Sequence, residues 1–245
     1  MQFYYTGPDQ LIHSAVHGDA ERTLSLSNAS LAYYSTDSEA RHRQCIKHGD
    51  HNYDPELWNN TEISYKFNSL GFRTPELSEV ISLTDPWFLA LGCSYTVGVG
   101  ISQSDRWSDQ LSLLQNMPHI NLAMAGAGLD YCVYQSRLWL RNLSERPDFV
   151  VVQHSEGVRQ LWSEFTDFGV AVGSPPGGDR ELDNQSQETW REHLQRFPVV
   201  LAQNFRLGQL TNILTEMWNS AGVPVYHWTF TEDGCLLYTS DAADE

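Results

Sequence analysis

Ser94 follows a run of five apolar residues, Trp87 to Leu91, across the pair Gly92-Cys93, and further glycines stand at positions 98 and 100. A serine placed just after a buried strand, with glycines around it, presents its hydroxyl at a turn where main-chain N–H groups also point outward. That arrangement suits an acyl-transfer nucleophile with its oxyanion donors. Other chemistries fit less well. His42, His48 and His51 with Asp50 and Asp54 match no metal-ligand spacing, so no metal site is expected. Gly98, Gly100, Gly126 and Gly128 suggest phosphate binding, yet no GxGxxG follows the first strand and no lysine completes a GxxxxGK[ST] run, so neither a nucleotide nor any other cofactor is expected. Cys93 adjoins Ser94 and would face away from it on an extended chain, which makes it a buried small side chain rather than a nucleophile. His154 and His227 read as satisfied core histidines, although His154 could approach the site. Glu156 with Arg159 reads as a surface or cleft-edge pair.

The elements that must hold Ser94 are legible from residue 85 onward. Trp87 to Leu91, then HINLA, then DFVVVQ, then VPVYHW are short apolar runs of the kind buried on both faces of a parallel sheet. Between them lie helical patterns: Trp107, Leu111 and Leu114 with Asp105 as a cap; roughly Tyr131 to Leu143; and about Ala202 to Ser220, where Leu207, Leu210, Leu214 and Met217 share one face despite Gly208. Gly173 to Gln187 reads as a surface loop. Strand alternating with helix predicts an α/β fold. In such sheets ligands bind beyond the carboxyl ends of the strands. That rule selects Cys93 to Gly100, Asn121 to Gly128 and Gln153 to Gly157. Residues 1–80 are turn-rich, with short apolar runs, and read as an irregular extension carrying a few strands.

Composition sets further bounds. The 245 residues carry 15 Lys plus Arg against 31 Asp plus Glu, a formal charge of −16, so a nucleic-acid backbone would be repelled. No apolar run approaches the ~18 residues of a membrane helix, and no signal peptide is visible at the start, so a soluble, cytoplasmic protein is expected. Cys45, Cys93, Cys132 and Cys235 form no CxxC and read as free thiols. Oligomeric state is not legible.

FLALGCSYTVGVG, NLAMAGAG and RPDFVVVQHS, in that order, resemble the first three sequence blocks of the SGNH (GDSL-type) hydrolases, and KFNSLGFRTPEL resembles the segment preceding them in extended members. The resemblance covers roughly residues 63–234. It implies a three-layer α/β/α, flavodoxin-like fold over residues 81–234 and an esterase or deacetylase acting on a small-molecule or carbohydrate acyl ester, or an acyltransferase on the same scaffold. Ser94 would be the nucleophile, with its own N–H and that of Gly126 forming the oxyanion hole. Cys93, Tyr95, Asn121, His154, Ser155 and Glu156 would lie in or near the cleft. Three departures stand out. Cys93 occupies a position where the family usually has Asp, Gly157 one where it has Asn, and no Asp-x-x-His follows the fourth strand. The first two favour, as the alternative, a binding or structural module without catalysis. The last eleven residues, CLLYTSDAADE, resemble a translated sequencing adapter, so the natural frame is expected to be cut at Gly234, with the general base beyond it.

Overall fold

The computed structural model describes residues 26–34, 38, 39, 43, 47, 63–81, 85–155, 160–163, 170–173 and 199–229. The metal reading of His42, His48 and His51, the Glu156–Arg159 pair, Gly157 and the adapter-like tail fall outside these residues.

Four parallel strands form the central sheet: β3 (Phe88–Leu91), β4 (His119–Asn121), β5 (Phe149–His154) and β8 (Val225–Thr229). Their spatial order is β4-β3-β5-β8, the doubly wound order whose reversal point lies between its first and third strands, here β3 and β5. The register pairs Ala90 with Asn121 and Leu91 with Val152. Side-chain alternation explains the layers. Leu89, Leu91, Val150, Val152 and Val225 face one side, where α1 (Leu77–Ile81), α4 (Leu129–Asn142) and α5 (Val199–Ser220) bring Leu77, Trp139, Leu214 and Trp218. Phe88, Ala90 and Val151 face the other, against Trp107 and Leu111 of α3 (Trp107–Gln115). The result is a three-layer α/β/α fold. Two further antiparallel strand pairs are described: β1 (Ser30–Leu31) with β2 (Tyr65–Lys66), and β6 (Gln160–Ser163) with β7 (Val170–Gly173).

One sequence expectation needs correction. Asp105 does not cap α3: Arg106 is the N-cap residue, and the Asp105 carboxylate instead accepts from Ser102 Oγ. The described residues just before the sheet, 63–81, pack against it. Leu70, Phe72, Leu77 and Val80 enter the main core, while Tyr65 and Phe67 pack with Val97, Ala123 and Ala125. Gly208 in α5 meets open space on the side where a Cβ would stand, so the helix continues through it at the modest cost of a mid-helix glycine.

Candidate active site at the carboxyl edge of the sheet

β3 ends at Leu91, and after Gly92-Cys93 the chain turns into α2 (Ser94–Val97), a single helical turn. Ser94 is the first residue of that turn, so its N–H has no intrahelical acceptor. The main-chain oxygens of Cys93 and Ser94 accept the N–H groups that close the turn: Thr96 and Val97 bond to Cys93 O, and Gly98 and Val99 to Ser94 O, all within 3.0 Å. Gly98 closes it at φ +75°, and a Cβ there would lie 2.3 Å from Arg106 Cγ. Only glycine fits on both counts.

β4 delivers the second segment to the same edge. Met124 N–H donates to Gly92 O at 3.3 Å, extending the strand pairing past Asn121. Gly126 lies two residues beyond Met124, as Ser94 lies two beyond Gly92. Ala127 N–H bonds back to Met124 O at 3.1 Å with Gly126 at φ +85°, the turn that requires positive φ at its third position. Ser94 and Gly126 are both partly exposed there. Tyr95, the residue after the serine, is 54% exposed.

Cys93 and Asn121 belong behind the site rather than in it. Both are buried. Asn121 Nδ2 donates to Thr96 O at 2.7 Å and to Ser108 Oγ at 3.2 Å, and its Oδ1 accepts from Ala123 N–H. Cys93 Sγ donates to Gln153 Oε1 at 3.1 Å, and the same oxygen receives Cys93 N–H at 3.4 Å and the Thr96 hydroxyl at 3.2 Å. Sequence reading gave Gln153 no role, because its position on a buried strand says nothing of how far its amide reaches. Arg73 was missed likewise.

β5 ends at His154, with Ser155 just beyond it, at the same edge. Ser155 Oγ is buried with no hydrogen-bond partner among the described residues. His154 Nε2 lies 2.9 Å from His227 Nδ1, and His227 Nε2 lies 3.0 Å from Thr215 Oγ1. Thr215 donates its one proton to Thr211 O. It therefore accepts from His227 Nε2–H, which leaves His227 Nδ1 to accept from His154 Nε2–H; these tautomers are assigned from the partners. Burial lowers the pKa of His154 to about 4, and burial together with the neighbouring His154 lowers that of His227 to about 3. Both are neutral at pH 7. Among the described residues no imidazole is hydrogen-bonded to Ser94, no cluster of three or more His, Cys, Asp or Glu is placed to hold a metal, and no helix is long and apolar enough to cross a membrane.

No family model matches the chain, and no curated protein sequence matches it. Among solved structures, the chain is similar to a mutant form of the esterase AlinE4 at 13% identity and a TM-score of 0.35, over 60% of this chain and 59% of that one. It is also similar to AlinE4 described as an SGNH-hydrolase family esterase, at 18% identity and a TM-score of 0.27, over 30% of this chain and 41% of that one. The chain thus spans about three fifths of the length of the first of these and about two fifths of the second.

Proposed function

We propose that the chain is a serine-dependent hydrolase of the SGNH type, acting on an acyl ester of a small molecule or carbohydrate. The observation that carries this reading is the shared edge. A partly exposed serine opening a helical turn and a glycine turn on the adjacent strand lie together at the carboxyl end of the sheet, next to its reversal point, in the order of the SGNH sequence blocks. Ser94 Oγ would attack the ester carbonyl carbon. The carbonyl π pair moves onto oxygen, where the Ser94 and Gly126 N–H groups would receive it. Collapse expels the alcohol and leaves an acyl-serine, which water then hydrolyses. An acceptor alcohol in place of that water would make the same site an acyltransferase.

The serine proton needs an acceptor, and positioned general-base help is worth ~100 to 10,000-fold. With no Asp-x-x-His after β8 and His154 engaged with the buried His227, the 245-residue chain is expected to hydrolyse slowly, sustained by oxyanion stabilisation. Those same two observations favour the second reading, a non-catalytic binding module. Hydrolysis of a short-chain aryl acetate by the chain and by Ser94→Ala separates them. Slow turnover abolished by Ser94→Ala, with an acetyl adduct mapped to Ser94 in the parent, supports the hydrolase. Equal rates for the two proteins leave the binding module.

A further inference from the structure

The segment from Ser64 to Thr74 is tied into both halves of the candidate site. Arg73 is 2% exposed, and burying a guanidinium is costly unless hydrogen bonds offset the lost water. Its Nη1 donates to Val97 O at 3.2 Å and Gly98 O at 2.6 Å, the carbonyls that end α2. Its Nη2 donates to Ile101 O at 3.1 Å and Ser64 O at 2.9 Å. The Tyr65 ring packs 4.4 Å from Arg73 Cζ, and the Tyr65 hydroxyl accepts Gly100 N–H at 2.7 Å. Arg106 Nη1 bonds Arg73 O, holding the arginine's own backbone. One residue on, Thr74 Oγ1 accepts Asn121 N–H at 3.1 Å, and Asn121 in turn bonds Thr96 O.

We infer that Arg73 is a positioning residue for Ser94: its guanidinium fixes the carbonyl end of the turn that Ser94 begins, and so the placement of the serine against the Gly126 turn. This rests on the reading of Ser94 as nucleophile. The planar fork matters. Two nitrogens reach four carbonyls on two segments, which a single lysine ammonium cannot span. A serine displaced by about 1 Å would react on the order of 100-fold more slowly.

The test is inactivation of the full 245-residue chain by an alkyl fluorophosphonate, in which the Ser94 Oγ–P bond forms as the P–F bond breaks, fluoride leaves and the hydroxyl proton passes to solvent. Maximal inactivation rate, inactivator affinity and labelled fraction are read separately. Arg73→Ala should lower the maximal rate about 100-fold with affinity unchanged, millimolar guanidinium should restore most of that rate, and Arg73→Lys should restore only part. A purely structural role would reduce the fraction of chain that labels while the labelled fraction reacts at the parental rate; that result overturns the inference. If Arg73→Ala does not fold, Arg73→Lys, which keeps the charge but cannot span the four carbonyls, carries the test. Slower labelling at unchanged affinity supports the inference, and the parental rate overturns it. A parent chain that takes no label at Ser94 sinks the nucleophile itself, and Arg73's role with it.

Discussion

Gln153 suspends the residues on either side of Ser94 from one oxygen. Its amide collects the Cys93 N–H, the Cys93 thiol and the Thr96 hydroxyl, while Thr96 Oγ1 accepts the Trp107 indole N–H at 3.3 Å. Gly92 makes room for this, since a Cβ there would lie 2.1 Å from Thr96 Oγ1. The departure at Cys93 thereby has a physical reading: a short thiol that donates suits an amide oxygen, where an aspartate would set two acceptors against each other. Gln153→Met should leave the Thr96 hydroxyl and the Cys93 N–H buried without their acceptor, costing about 2 kcal/mol. That corresponds to roughly 5 °C in Tm for a chain of this size. An unchanged melting curve would show that the bracket holds nothing. The placement of Ser94 and Gly126 beyond strand ends was visible in the sequence because buried strands and glycine turns leave local signals. Gln153 and Arg73 were not, since each acts on residues 20 to 60 positions away and nothing in its neighbours announces the reach.

Three elements meet around the histidine pair: β5 supplies His154, β8 supplies His227, and α5 supplies Thr215. Both imidazoles have folded pKa values, about 4 and about 3, below the ordinary value of about 6.5. Between those limits the unfolded chain binds more protons than the folded one, so stability rises with pH across that window. The contribution is fully present above about pH 6.5 and is lost as pH falls toward 4. Thermal melts at pH 7 and pH 4.5 should therefore show a larger drop for the parent than for His227→Gln, which keeps a donor and an acceptor but cannot titrate. Equal drops would mean that the pair does not contribute to acid sensitivity. The four strands of the central sheet and the three longer helices from residue 85 onward were legible because their apolar runs and helical periods are strong. The one-turn α2, the short α1 and the four-residue β6 and β7 were not, being too short to show a period, and Gly173, expected to open a surface loop, ends β7. The packing of residues 67–76 was not legible for a related reason. Their apolar residues are set by turns, as where Asn68 Oδ1 accepts the Leu70 and Phe72 N–H groups, so they enter the core without strand or helix periodicity.

At the scale of the whole molecule, alternation of strand and helix predicted the α/β class, and the sheet order adds where a ligand would sit, since the reversal lies between β3 and β5. The formal charge of −16 fits an uncharged or cationic ester better than a polyanion. The distribution of indoles across the two faces has an optical consequence. Trp87, Trp139 and Trp218 sit in the core between the sheet and α1, α4 and α5, so their emission should respond to global unfolding. Trp107 and Trp228 lie on the opposite face, edge to face with centroids 5.3 Å apart, and the Trp107 N–H is bonded to Thr96, two residues past the serine. An adduct on Ser94 that shifts Thr96 should therefore change the quantum yield of this second pair while leaving the circular dichroism intact. Titration with a fluorophosphonate, following emission and ellipticity together, would show it. A Trp107→Phe variant should label at Ser94 but lose most of the emission change, and retention of the full signal in that variant would place its source elsewhere. The protein would then carry a built-in fluorophore that reports occupancy of the edge separately from the integrity of the fold.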